Sequence, residues 1–520
     1  MIRSFLTVSV GTLASRLLGF ARDSMIAALL GTGPVADAFL VAFQLVNVVR
    51  RLLTEGALNA ALIPAWLRVR ETKGADAAAA FAGTVLGSVS AALIVATILI
   101  GLLMPLVMAA LAPGFAGHQT LQLAVDDARL MLPYLAFAGP VTVMMALLNA
   151  QSRFALTAFS PLLFNLALIA VMIVLLGWRP DASFAALMMA ATVGIAGLLQ
   201  LLILVLRRGG GSIATPLRIS FDADMRGFFG KAIPGMIASS GPQLLVVAGA
   251  VIASSSPSAV SWLYFANRLI ELPLGIVGGA MGTVLVPELT RALRADDRSA
   301  LAHAESRGLE LAAGLALPAT LGLIVLREPV VRMLFEHGVF TAADTAATAQ
   351  ALMWLALGLP AQVLVKALSP AFFARNDTLT PLLATLKGFA VAILSALVFG
   401  RLFGPSGIAA AIALGAWSSA LALIRRGAAT FGFSIDAAAR RRLPRMVVAA
   451  LAMGGLLWLM ASFVLPLTGT AHGIVQAIVL LMLISGGIAI YGLLLALFGV
   501  IRWGDALGAI RQTTASDLRD

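Results

Sequence analysis

Apolar runs of about twenty residues recur from one end of this 520-residue sequence to the other. A helix of that length crosses the roughly 30 Å hydrocarbon core of a bilayer. In lipid, only helices and closed barrels satisfy their own backbone hydrogen bonds. The runs are continuous, unlike the alternating ten-residue segments of a barrel. Composition agrees: 60% of residues are hydrophobic and 12% charged, against about 45–50% and 25% in soluble domains. The chain is therefore expected to be an all-α polytopic membrane protein. About fourteen spans are expected, near 4–30, 35–58, 80–110, 128–150, 160–178, 184–206, 228–254, 260–286, 308–326, 346–370, 380–400, 406–424, 446–466 and 473–500.

The connections alternate in charge. One set carries Arg68, Arg70 and Lys73; Arg207, Arg208, Arg218 and Arg226; Arg291, Arg294 and Arg298; and Arg425, Arg426, Arg440, Arg441, Arg442 and Arg445. The other set, around 31–35, 113–127, 179–181, 254–258, 402–406 and 467–472, is poor in positive charge. Positive-inside topology explains this pattern and most of the net charge of +12, so no nucleic-acid partner is implied. Both termini are expected in the cytoplasm, with an even number of spans. The segment between the ninth and tenth spans is the exception, since Arg327 and Arg332 sit beside Glu328 and Glu336. Arg16 interrupts the first apolar run, which reads as an uncleaved span and not as a signal peptide. Cysteine is absent, which excludes disulfides and thiol chemistry.

The two halves resemble each other at an offset of about 220–224 positions. Leu40, Gly56, Pro64 and Arg68 match Leu263, Gly279, Pro287 and Arg291; Pro105 and Gly114 match Pro329 and Gly338; Pro140 and Pro161 match Pro360 and Pro381. Six spans per half make a parallel repeat, with an axis along the membrane normal. The expected organisation is an N-lobe at 1–213, a C-lobe at 214–435, and two further helices with a cytoplasmic tail at 436–520.

Charges inside spans mark candidate sites, because a charge at the bilayer centre costs roughly 2.5–3.5 kcal/mol on insertion scales. Arg16 falls about 18 Å into its helix. Arg22 and Asp23 follow in the same span. Asp23 is seven positions from Arg16 and is expected on the same face, and a bend at Gly19 would turn both arginines toward one cavity. Asp37 begins the second span, either as a cavity charge or as a carboxylate favoured by the helix dipole. Arg50 and Arg51 lie near its inner end, with Glu55 four residues after Arg51. Arg268 and Glu271 sit within the eighth span, as cavity charges first and as an internal salt bridge second. Asp377 reads first as a turn and helix cap, and second as an ion site. Two arginines against one carboxylate leave positive charge over. Arginine stays protonated and binds phosphate through paired, charge-assisted hydrogen bonds, so an anionic, phosphate-bearing substrate is expected.

Motifs for chemical conversion are missing. No G-x-x-x-x-G-K-[ST] loop, H-E-x-x-H helix or G-x-S-x-G elbow occurs, and the four histidines are scattered. No metal or cofactor is expected, and the chain reads as a transporter, not an enzyme.

The run Ser15–Asp23 (SRLLGFARD), with Ala36–Phe39 (ADAF), Val49–Leu58 (VRRLLTEGAL) and Tyr264–Gly275 (YFANRLIELPLG), resembles the MurJ (MviN) lipid II flippases. That family belongs to the multidrug/oligosaccharidyl-lipid/polysaccharide exporter superfamily. The resemblance implies two six-helix lobes plus two C-terminal helices in the bacterial plasma (inner) membrane. It implies alternating access that carries lipid II, an undecaprenyl-pyrophosphoryl disaccharide-pentapeptide, to the outer leaflet for peptidoglycan synthesis. It assigns pyrophosphate binding to Arg16, Arg22 and Arg268, with supporting charges at Asp37, Arg50, Glu271, Arg51 and Glu55. Membrane lipids, and cell-wall synthesis and division proteins, are the implied partners. A sodium ion, a proton or the membrane potential would supply the drive. The alternatives are another exporter of the superfamily, for drugs or O-antigen-type oligosaccharide lipids, and a scaffold or polyprenyl-phosphate enzyme of wall synthesis.

Overall fold

The computed structural model describes residues 2–54, 57–151, 153–206, 214, 217–220, 225–226, 229–230, 241–280, 285–295, 297–373, 375, 377–431, 436–468 and 473–500. Among these the regular structure is helical, with no strand. The helices of the first half are α1 (Ile2–Leu30), α2 (Pro34–Thr54), α3 (Ala57–Lys73), α4 (Ala75–Leu102), α5 (Met104–Leu111), α6 (Gln119–Met131), α7 (Pro133–Ala150), α8 (Phe154–Trp178) and α9 (Ala182–Leu206). Those of the second half are α10 (Gly241–Ala253), α11 (Ala259–Ala280), α12 (Val286–Arg294), α13 (Arg298–Val325), α14 (Arg327–Phe335), α15 (Ala342–Phe373) and α16 (Leu379–Phe431). The chain then adds α17 (Ala437–Thr468) and α18 (Ile474–Leu497).

Each expected apolar run coincides at least in part with a described helix, and 9 helices among the described residues are long and apolar enough to cross a membrane. Many large apolar side chains stay exposed on them, including Leu102 on α4, Ile173 on α8, Trp458 on α17 and Leu481 on α18. Apolar exposure along whole helices is what a lipid surrounding requires.

Two boundaries differ from expectation. The segment 113–127 was expected as an outer loop, yet it contains only a short 3₁₀ turn at Pro113–Phe115 before α6 begins at Gln119. The reason is a buried stripe at helical spacing, Ala124, Ala128 and Met131, which the charges of Asp126 and Asp127 conceal from a hydropathy reading. Likewise α13 starts ten residues before the expected 308, because Asp297 caps it by accepting from the Ser299 and Ala300 N–H groups.

The described chain forms two compact units. The first comprises Met1–Phe265, Phe335–Asp344 and Ala396–Ile408, and the second Ala266–Leu334, Thr345–Ser395 and Ala409–Asp520. In the first unit α1 packs on α8, α2 on α6, and α7 on both α4 and α9. Small residues permit the closest approaches, as expected where lipid competes with apolar side chains for helix surfaces. A Cβ on Gly194 of α9 would lie 2.3 Å from the Leu130 carbonyl oxygen. Residues 217–220 lie against α4, where the Ser88 hydroxyl both donates to and accepts from the Ser220 backbone at 3.1 Å.

In the second unit α13 packs on α17, and α17 on α18. Met446, Ala449, Ala450 and Met453 of α17 pack with Tyr491 and Leu495 of α18 in one core. Helix α16 is broken at Gly404, whose φ of 59° and ψ of −141° leave the helical region just before Pro405. Its arms pack against each other at Gly388 and Gly415, with no room for a Cβ on either.

Candidate functional site

Helix α1 places Arg22 and Asp23 in the interior of the first unit, with Arg22 5% exposed and Asp23 fully buried. The guanidinium donates from Nε (3.0 Å) and Nη2 (2.7 Å) to Asp23 Oδ1, and from Nη1 to Asn165 Oδ1 of α8 at 2.9 Å. Asn165 Nδ2 in turn donates to the Ser15 carbonyl on α1 at 3.2 Å. Tyr264 Oη of α11 donates to Asp23 Oδ1 at 3.3 Å. The rings of Phe43 and Phe164 lie 5.0 and 5.8 Å from the Arg22 guanidinium carbon, a cation–π arrangement.

This geometry departs from the sequence expectation in one respect. Asp23 serves the adjacent Arg22, whereas Arg16 is exposed and makes no ion pair among the described residues. Seven residues set Arg16 about 10.5 Å away along the axis, while Arg22 reaches its neighbour directly. Helix α1 is continuous through Gly19. Arg50 Nη2 donates to Asn47 Oδ1 one turn back at 3.4 Å, and Arg51 is half-buried. Glu55 lies outside the described residues. Further along α11, Arg268 Nη1 meets Glu271 Oε2 at 2.7 Å, an i,i+3 pair with about a fifth of each side chain exposed (22% and 23%).

Asp37 caps a helix, although not its own. Its Oδ2 accepts from the Ser258 N–H at 2.9 Å, and its Oδ1 from the Ser261 N–H at 2.9 Å and from the Ser261 hydroxyl. These donors open α11, so the carboxylate of α2 sits at the positive end of the helix that carries Tyr264 and Arg268. Further connections add to this fastening. Val339 N–H donates to the Ala28 carbonyl at 3.1 Å, and the left-handed Gly338 (φ +61°) comes so close to Ala28 that a Cβ would lie 2.2 Å from its oxygen. Gly114, the repeat partner of Gly338, is pressed as closely on Ser254 at the end of α10 and donates to the Ser254 hydroxyl at 3.0 Å. Asp344 accepts from the Thr32 hydroxyl and from Trp262 Nε1 through Oδ1, and from Thr341 through Oδ2.

A family model described as "Lipid II flippase MurJ" matches residues 26–477. The chain belongs to the MurJ lipid II flippase family. A protein of Rhizobium meliloti (strain 1021) named "Probable lipid II flippase MurJ" is 37% identical over 517 residues, covering 99% of this chain and 96% of that protein. A protein of Burkholderia cenocepacia named "Lipid II flippase MurJ" is 33% identical over 430 residues, covering 81% and 83%. Among solved structures, "Lipid II flippase MurJ, inward closed conformation" superposes with a TM-score of 0.78 at 21% identity, covering 95% of this chain and 98% of that one. An inward-facing multidrug resistance MATE transporter of the MOP superfamily superposes at 0.66 and 16% identity, covering 85% and 98%. At those identities the two structures establish the fold.

The structure gives several MurJ-like motif residues partners close by. It brings Arg22 and Asp23 together and pairs Arg268 with Glu271, while Asp37 is given to the start of α11. Asp377 caps the start of α16, accepting from the Thr380 N–H at 2.9 Å. Burial pushes that carboxyl up, but hydrogen bonds from Thr380 and Leu379 outweigh it and hold it below the usual carboxylate range. No group of three metal-ligating side chains occurs among the described residues. Sequence reasoning missed Asn165, Tyr264, Ser258 and Ser261, which are polar residues in apolar surroundings without charge to flag them. Gly114 and Gly338 were visible as repeat partners, and that pairing was the available signal for these close connections.

Proposed function

We propose that the chain flips lipid II from the inner to the outer leaflet of the bacterial plasma membrane, as a transporter without catalytic chemistry. The observation that carries this is the 37% identity over 99% of the chain to a protein named as a probable lipid II flippase. In this proposal fourteen spans form two repeat-related lobes, 1–213 and 214–435, followed by helices and tail at 436–520, with both termini cytoplasmic. Alternating access delivers the head group outward. Arg16, Arg22 and Arg268 bind the pyrophosphate, and Asp37, Arg50, Arg51, Glu55 and Glu271 set the surrounding charge.

Arg16 is available for an anion in this conformation. Arg22 and Arg268 hold carboxylates that a pyrophosphate would have to displace, so they would engage substrate only after a change of partner. Such exchangeable pairs suit a carrier, which must release what it binds. Sodium, protons or the membrane potential would drive the cycle, at about 2.3 kcal/mol per charge per 100 mV for the last. Cell-wall synthesis and division proteins are the proposed partners.

Depletion in cells, followed by a topological assay for lipid II, tests the function. Inner-leaflet accumulation is expected, and normal outer-leaflet exposure would exclude it. Neutralising Arg16, Arg22 and Arg268 together is expected to abolish flipping while the protein remains inserted. Wild-type flipping by that variant would remove the pyrophosphate assignment.

A further inference from the structure

Four carboxylates are buried among the described residues: Asp23, Asp37, Asp127 and Glu305. Three have partners. Asp23 holds Arg22, Asp37 holds the start of α11, and Glu305 meets Arg375 at 3.2 Å. Asp127 is 2% exposed and makes no hydrogen bond or ion pair among the described residues. It lies eight residues into α6, about 12 Å along the axis, within an apolar stretch, Gln119–Ala150, long enough to cross a membrane.

Among the described residues no basic side chain forms an ion pair with Asp127. On α6 itself Asp126 adds repulsion and is engaged by Gln122 Nε2 at 3.0 Å, while Arg129 is exposed. Helix α6 packs against α2, α5, α7, α9 and the Pro113–Phe115 turn. Of these, α2 brings Asp37, committed to α11, together with Arg50, which bonds Asn47, and Arg51. Helix α7 brings only Tyr134 as a titratable group, and α5, α9 and the turn bring none. An ionised carboxylate without a partner is strongly disfavoured in such surroundings, and a neutral acid far less so. An ionisable residue kept at such a place marks a functional site by default.

We infer that Asp127 is a proton-binding site of the chain, occupied while α6 is packed as here and emptied when a conformational change opens its carboxyl to water. The exchange is a simple one, carboxylate plus proton giving carboxylic acid, with no other reactant. This deepens the flippase proposal, on which its use in transport rests, by naming the proton as the coupling ion.

Two measurements on the full-length reconstituted protein decide it. Infrared spectroscopy at neutral pH is expected to show a protonated-carboxyl C=O band that persists in Asp126→Asn and vanishes in Asp127→Asn. On the wild-type chain, a hydrophobic carbodiimide mapped by mass spectrometry is expected to modify Asp127 in preference to Asp126, which needs no variant to fold. A missing band together with an unmodified Asp127 would overturn the site. In vesicles with fluorescent lipid II, a pH gradient is expected to change the wild-type flipping rate at least several-fold, and Asp127→Asn to flip equally with and without it. Gradient-insensitive flipping by wild type, or a variant as sensitive as wild type, would overturn the coupling. No flipping at all would count against the flippase proposal, and the band and the label would still decide the proton site.

Discussion

Asp23 shares its helix with Arg16 and Arg22 and takes the adjacent one, and the consequence is energetic. Removing one member of a buried pair strands the other charge and typically costs 3–5 kcal/mol, roughly, while removing both costs much less. Asp23→Asn is therefore expected to destabilise the protein by about 3–5 kcal/mol. Adding Arg22→Met should recover part of that loss, giving a coupling energy of roughly 1–3 kcal/mol in a double-mutant cycle. Denaturation in detergent with a reversible midpoint measures it, and additive effects would mean that Arg22 has another counter-charge. At this scale the sequence was informative about which charges matter and silent about their partners. Arg22, Asp23, Arg268 and Glu271 all stand out as charges in apolar runs. Asn165 and Tyr264, which complete the Arg22 site, are ordinary polar residues whose role follows only from the packing of α1 on α8. Asp127 was set down as the end of a loop because its charge, not its burial, is what a linear reading detects.

At the scale of elements, caps explain where helices begin more reliably than hydropathy does. Asp297 starts α13 well before its apolar stretch, and Asp436 starts α17 by accepting from the Ala439 N–H at 2.6 Å. The Asp436 carboxyl is held below the usual carboxylate range by that backbone hydrogen bond first, and then by His303, whose Nδ1 lies 3.2 Å away. A depressed folded value means that the cap stabilises above the ordinary carboxylate range and fades as pH falls through the folded value. Asp436→Ala is thus expected to lose about 1 kcal/mol at neutral pH, within the 0.5–2 range for lost N-caps. The difference from wild type should close on acidification below pH about 4, where an unfolded aspartate also protonates. Thermal unfolding at several pH values reads this, and a gap that widens toward acid would refute the capping role. The apolar runs themselves were legible because lipid-facing helices need no amphipathic pattern. The break at Gly404 was legible too, as glycine before proline between two expected spans.

At the scale of the whole molecule, the repeat and the alternation of charge predict sidedness, and the sequence offers an unusually clean way to measure it. The chain contains no cysteine, so single cysteines can be introduced without background. Ala116 and Ser255 are exposed in connections poor in positive charge, whereas Thr72 and Ala438 are exposed beside Arg68, Arg70 and Lys73 and beside Arg440, Arg441 and Arg442. Substitutions at such surface positions usually change stability by less than about 0.5 kcal/mol. An impermeant thiol reagent applied to intact cells is expected to label Ala116→Cys and Ser255→Cys. It should leave Thr72→Cys and Ala438→Cys untouched until the membrane is opened. Ala116 and Ser255 belong to opposite halves of the repeat, so common labelling supports halves that enter the membrane from the same side, as six spans each require. Labelling of only one of the two would demand an odd number of spans between them and an inverted repeat. That outcome would conflict with the basic residues at the end of α3 and at the start of α17, because an inverted second half would carry its arginines to the outer face against the positive-inside rule.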